Sequence, residues 1–200
     1  MAKLYFRYGA MNCGKTANLL QTAFNYEERG QKVCVFKPGI DTKNQTKLLS
    51  RIGLERPTDF VCSSNDNVYE IIENDYANVA CVLVDEAQFL DLAQVDQLAL
   101  VATELDIPVI CYGLRTNFRQ TDGGFEGATR LLQIAQELTE LKTICSCGKK
   151  ATRTTRFLDD QLVTDGPDIL IDNGKTKIEY RALCHKCYLE YLAKTNRHDS

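Results

Sequence analysis

The sequence predicts an α/β layered domain with a mainly parallel sheet, followed by a small cysteine-bearing module. A complete phosphate-loop pattern stands directly behind the first strand-like segment. Strand-like and helix-like segments then alternate, the pattern of a sheet with helices packed on its faces. Four of the nine cysteines fall in two tight pairs near the C-terminus, where the alternation stops.

Lys3 to Tyr8 is rich in aromatic residues and reads as the first strand. Gly9 to Gly14 is a turn. Lys15 to about Glu28 is helical, with Ala17, Leu20 and Phe24 on one side and Gly30 as a stop signal. Val33 to Phe36 is a short buried strand ended by Lys37-Pro38-Gly39, and Asp41 to Thr58 is polar and turn-rich, a loop. Asp66 to Asp75 is a helix. Val79 to Val84 is the most apolar run; its length and β-branching predict a strand buried on both faces. Asp91 to Leu105 is helical, Ile107 to Tyr112 is another strand, and a helix runs from about Phe125 to Leu138 behind Gly123-Gly124.

The character changes near Leu141. Residues 1–142 form the α/β domain, 143–193 the cysteine module, and 194–200 a polar, frayed tail. Within the module, Thr152 to Leu158 and Ile169 to Ile171 are β-like, and Asp172-Asn173-Gly174 is a turn. There is no internal repeat and no low-complexity segment.

Composition narrows the function. A length of 200 residues suits one domain with a small appendage, and 44% apolar and 26% charged residues are those of a soluble globular protein. Net charge is -3, from 24 basic and 27 acidic residues, without the basic excess that duplex nucleic acid demands. A small anionic ligand is compatible with it. No secretory signal pattern opens the chain, and no run approaches the roughly 18 apolar residues of a membrane span. A cytoplasmic protein with no membrane partner is expected. The odd number of cysteines and their two tight pairs then point to metal, not disulfides.

Gly9-Ala10-Met11-Asn12-Cys13-Gly14-Lys15-Thr16 fits the pattern G-x-x-x-x-G-K-[ST] in full. Its glycines let consecutive N–H groups point at phosphate oxygens, and the following helix adds its dipole. Lys15 supplies a charge to the β and γ phosphates, and Thr16 offers a hydroxyl to Mg²⁺. Cys13 and Met11 read as filler.

Asp85-Glu86 closes the apolar strand, at the end where such sheets carry reactive groups. Asp85 suits the Mg²⁺ shell, and Glu86 suits proton acceptance from an attacking hydroxyl. Cys145, Cys147, Cys184 and Cys187 make a closed tetrahedral set for structural Zn²⁺, with His185 a less fitting substitute.

These features fit two classes of protein. One is an ATP-dependent small-molecule kinase. The other is a nucleic-acid motor, since Asp85-Glu86-Ala87-Gln88 spells a helicase motif. Motors of that kind need two such domains, and the acidic balance counts against a strand-tracking groove. The kinase is favoured.

Further blocks carry a resemblance. Tyr5 to Thr16, Ser50 to Leu54, Val82 to Phe89, Ile107 to Arg119, Leu138 to Cys145 and Cys184 to Tyr188 are similar, in order and over nearly the whole chain, to the thymidine kinases of the cytosolic vertebrate and bacterial type. The resemblance implies transfer of the ATP γ-phosphoryl group to the 5′-hydroxyl of thymidine, or of deoxyuridine. It implies a RecA-like domain with a mainly parallel sheet, and a small zinc-binding β domain whose lid (lasso) loop closes over the base. A homotetramer and feedback binding of thymidine triphosphate (dTTP) are also implied. The family's base falls on Glu86. Its ATP and Mg²⁺ contacts fall on Gly9, Ala10, Met11, Asn12, Cys13, Gly14, Lys15, Thr16, Asp41, Asp85, Glu86, Ala87 and Gln88. Its nucleoside pocket falls on Met11, Phe89, Leu114, Phe118, Thr154, Ile171 and Tyr180, so Met11 borders both substrates. The chain departs from the family at Asp172-Asn173-Gly174, where a glycine pair is common, at Lys43 in place of an arginine, and at Asn117 in place of an aspartate.

Overall fold

The computed structural model describes residues 1–39, 46–119, 124–167 and 176–198. Asp41, Lys43, Gly123 and the segment Ile169 to Gly174, with Ile171, lie outside the described residues.

The N-terminal part runs β1 (Leu4–Gly9), α1 (Lys15–Glu27), β2 (Val33–Pro38), β3 (Lys47–Leu49), β4 (Glu55–Pro57), β5 (Phe60–Cys62), α2 (Val68–Asp75), β6 (Cys81–Val84), a 3-10 turn (Ala87–Phe89), α3 (Leu92–Glu104), β7 (Val109–Leu114), α4 (Glu126–Ile134) and β8 (Glu137–Glu140). Six strands form one sheet in the order β5-β2-β6-β7-β1-β8, every pairing parallel. The predicted α/β class and its mainly parallel sheet are observed. Strand ends therefore share one edge: Gly9, Val84 and Leu114 all finish there.

Alternation along the strands fills both faces. Phe6, Cys34, Phe36, Val82, Val84, Val109 and Cys111 pack beneath α2, α3 and α4. Val33, Val35, Cys81, Leu83, Ile110 and Tyr112 pack beneath Leu19, Leu20 and Ala23 of α1. Both faces are covered, which is why β6 reads as an uninterrupted apolar run. Burial pushes the Cys62 and Cys81 thiols up to about 12, so these scattered cysteines are inert core residues. On the α1 side, Arg7 donates to Asn18 Oδ1 at 2.9 Å and to the Tyr112 hydroxyl at 2.8 Å, tying β1, α1 and β7 together behind the loop.

Three expectations are corrected. The helix expected to reach Leu138 ends at Ile134, and Glu137–Glu140 forms the edge strand β8 beside β1. Gln136 makes the switch: its N–H donates to the Leu4 carbonyl at 2.9 Å and its side chain accepts from Leu4 N–H at 2.6 Å. Free donors and acceptors on the edge of β1 outweigh the helical spacing of the apolar residues. Second, the stretch expected as loop up to Thr58 contains the β3–β4 hairpin, turned at Ser50–Gly53 and anchored by buried Leu48. The extra edge strand β5 follows, with Phe60 stacked on Phe36 at 4.4 Å.

The third correction concerns the tail. Beyond β8 come β9 (Thr143–Ile144), β10 (Lys150–Ala151), β11 (Arg153–Leu158), β12 (Gln161–Val163), β13 (Ile178–Leu183) and α5 (His185–His198). Residues 194–198, read from the sequence as tail, continue this helix. Tyr188, Tyr191 and Leu192 hold it against Phe157, Leu162 and Leu183. The antiparallel sheet β12-β11-β13 and the β9–β10 hairpin share that separate small core. Among the described residues, no helix is long and apolar enough to cross a membrane.

Candidate functional site

The phosphate loop leaves β1 at Gly9. A Cβ there would stand 2.4 Å from Cys13 Sγ and 2.6 Å from the Leu141 carbonyl, so only glycine permits the close return of the loop. Asn12 (φ 66°) and Gly14 (φ 80°) are left-handed, and Gly14 caps the start of α1. Ala10 is buried, Met11 half-buried and Asn12 exposed, so the apex opens outward. The Lys15 side chain is buried and lies back along the loop, its Nζ donating to the Ala10 carbonyl at 3.3 Å and lying 3.8 Å from Cys13 Sγ.

At the end of β6, Asp85 is buried. Its Oδ2 accepts from Thr16 Oγ1 at 2.9 Å, and its Oδ1 has no hydrogen-bond partner. Burial first, then the charge of Glu86, holds its carboxyl well above the usual carboxylate range, against the pull of Thr16, the Glu86 N–H and Lys15. A cation beside that oxygen would satisfy it and stabilise its charge. This donor set, one hydroxyl and one orphaned carboxylate oxygen, fits Mg²⁺.

Glu86 takes a left-handed conformation (φ 51°, ψ 35°), uncommon outside glycine, and opens the 3-10 turn. The kink turns its half-buried side chain away from the strand direction. Gln88 supports it. Its amide oxygen accepts from Leu114 N–H at 3.0 Å, which fixes the amide orientation, so its Nε2 donates to Glu86 Oε2 at 2.5 Å. A Cβ on Gly113 would lie 2.9 Å from Gln88 Oε1, so that glycine makes room for the contact. Ala87 is fully buried in the core, leaving its main chain as its route to a ligand. Phe89 meets Phe125 edge-on at 5.2 Å, and Leu114, the last residue of β7, and Phe118 just beyond it are buried.

The small sheet faces this edge. Thr154 Oγ1 accepts from Met11 N–H at 3.1 Å, and Asn12 Nδ2 donates to the Tyr180 carbonyl at 3.4 Å. Thr154 is thus brought to the phosphate loop itself. Arg156, two residues along the same strand face, is 1% exposed and stacks on Phe118; the sequence reading missed it. The signal was there: if Thr154 faces the site, period two sends Arg156 there too.

The Sγ atoms of Cys145, Cys147, Cys184 and Cys187 lie within 4.8 Å of one another. Cys147 and Cys184 are 3.6 Å apart. Tetrahedral Zn²⁺ with Zn–S bonds of about 2.3 Å separates its sulfurs by roughly 3.8 Å, so the set fits zinc. The Cys187 N–H donates to Cys184 Sγ at 3.5 Å, and a turn from Cys145 to Lys149 shapes the other pair. His185 is exposed, with its Nδ1 near Arg153, and is not in the cluster.

Comparison with known proteins gives a consistent result. A family model described as thymidine kinase matches residues 2–188. A thymidine kinase of Photorhabdus laumondii subsp. laumondii is 45% identical over 206 aligned positions, covering 100% of both chains. A thymidine kinase of Francisella tularensis subsp. holarctica is 43% identical over 95% of this chain and 98% of its own. One of Rhodopirellula baltica is 44% identical over 96% and 90%, respectively.

Proposed function

The chain belongs to the thymidine kinase family, and on that premise we propose that it transfers the γ-phosphoryl group of ATP to the 5′-hydroxyl of thymidine, or of deoxyuridine, giving the 5′-monophosphate for nucleotide salvage. One observation carries the proposal: the phosphate loop and the carboxylates of Asp85 and Glu86 share a single sheet edge in a chain that the family matches over residues 2–188. The reading as a nucleic-acid motor is not favoured, because the family and the relatives are those of a kinase.

In this reading, the amides of Gly9 to Gly14 and the Lys15 ammonium bind the triphosphate of ATP. Thr16 and Asp85 would hold Mg²⁺, which neutralises phosphate charge when bound. Glu86 orients the 5′-hydroxyl and accepts its proton as the new bond forms. An alcohol is a weak acid, so the early work of Glu86 is alignment, and most of the rate comes from positioning and electrostatics. Gln88 fixes the carboxylate that does this. Met11, Phe89, Leu114, Phe118, Thr154 and Tyr180 line the nucleoside side; Ile171, outside the described residues, is added on the family resemblance alone. Cys145, Cys147, Cys184 and Cys187 would hold structural Zn²⁺ and stiffen the base of the small sheet. Its separate core supports a domain boundary near 142/143. Feedback binding of dTTP, a homotetramer and a cytoplasmic location complete the proposal, supported by family membership.

A coupled ADP-release assay tests it. Thymidine and deoxyuridine are expected to stimulate release, and single-stranded DNA is not. Stimulation by DNA and by no nucleoside would bring back the motor.

A further inference from the structure

We propose that Arg156 is a positioning residue for the nucleoside: it fixes the ring of Phe118 and is itself held by the main chain of Asp165 to Pro167. The proposal rests on the place of Phe118 in the nucleoside pocket under the function argued above.

Arg156 is 1% exposed, and among the described residues it forms no ion pair with a carboxylate. A buried cation without such a partner is costly unless other contacts replace water. Three do so. The guanidinium carbon lies 3.6 Å from the centroid of the Phe118 ring, a stacking distance. Nη1 donates to the Pro167 carbonyl at 2.5 Å, and Nη2 donates to the Asp165 carbonyl at 3.0 Å. Gly166 between them has φ 112°, and a Cβ there would stand 2.8 Å from Nη2, so the close approach requires glycine. The Gly166 carbonyl in turn accepts from Arg119 Nε at 2.8 Å, and Arg119 directly follows Phe118. Three successive carbonyls therefore take arginine donors, and both arginines touch or adjoin Phe118.

The placement suits a pocket wall. Arg156 pairs with Tyr180 across β11 and β13, on the face where Thr154 meets the phosphate loop. A planar fork can stack and bind two carbonyls at once, which neither lysine nor an apolar side chain can do. The energetic weight of Arg156 falls on the orientation of one aromatic ring, not on the core of the small module.

Arg156→Met and Arg156→Lys, each alone and combined with Phe118→Leu, test this through thymidine and ATP kinetics and thermal melting. Arg156→Met is expected to raise the KM for thymidine by about tenfold or more while the KM for ATP stays within about twofold. Arg156→Lys falls between, and in the Phe118→Leu background Arg156→Met adds less than about twofold. Effects that multiply independently, or that raise both KM values alike, overturn the proposal. If the Met variant does not fold, the Lys variant carries the cycle. Amide exchange at Thr164 to Gly166 in the ligand-free protein needs no substrate: faster exchange in both variants supports the brace, and unchanged exchange refutes it. A wild type that does not turn over thymidine would instead refute the proposed function, with the exchange result still deciding the brace.

Discussion

Glu86→Gln is expected to keep ATP affinity and lose about 10²–10⁴ in turnover, the usual share of general acid–base catalysis. The substitution keeps the size and shape of the side chain, so the 3-10 turn and its support survive. What it removes is the capacity to accept a proton. The left-handed conformation of Glu86 (φ 51°) costs energy that the surroundings must supply, and such outliers gather where a side chain has to be aimed. Asp85, fixed to Thr16, and Gln88, fixed to Leu114 N–H, hold the two ends of that kink. ATP binding by the loop and Lys15 does not pass through the Glu86 carboxylate, so binding and turnover should separate. Near-normal turnover in the variant would remove Glu86 from the mechanism.

The second large effect concerns the cysteine set. Cys187→Ser is expected to release zinc, lower the melting temperature and abolish most nucleoside turnover. The separate core of the small module has few buried side chains, among them Ala151, Phe157, Leu162, Leu183 and Tyr188, besides two of the cysteines themselves. Cores this small ordinarily need a metal or disulfides. Zinc bound there would contribute directly to folding, worth on the order of 10 kcal/mol in small zinc modules. Losing it should free β11 and β13, and with them Thr154, Arg156 and Tyr180. Metal analysis with thymidine binding decides the matter; undiminished zinc with unchanged thymidine affinity would contradict it.

The parts of the site legible in the sequence are those set by local chain geometry. A glycine-bounded loop between strand and helix, and a carboxylate pair at the end of an apolar strand, both state their place in the fold, because parallel strands end on one edge. The cysteine pairs state theirs through thiol chemistry. The edge strands were not legible. β8 forms because β1 has an unpaired side, and nothing local to Glu137–Glu140 announces it. β5 has three residues, too few for a pattern to repeat. The contact roles of Gln88 and Arg156 were illegible for a related reason: each is set by what it meets 26 or 38 residues away, Leu114 N–H for the first and Phe118 for the second. Charged residues inside strands normally face solvent, so only the period-two spacing from Thr154 on the same strand pointed to Arg156, and it did not name Phe118 as the contact.

Incubating the protein with γ-labelled ATP, Mg²⁺ and thymidine, and following the label, decides whether the site performs the assigned transfer. Label is expected on the 5′-oxygen of thymidine, appearing in step with ADP and lost in Glu86→Gln. Label confined to inorganic phosphate, released at a rate indifferent to thymidine, would contradict it.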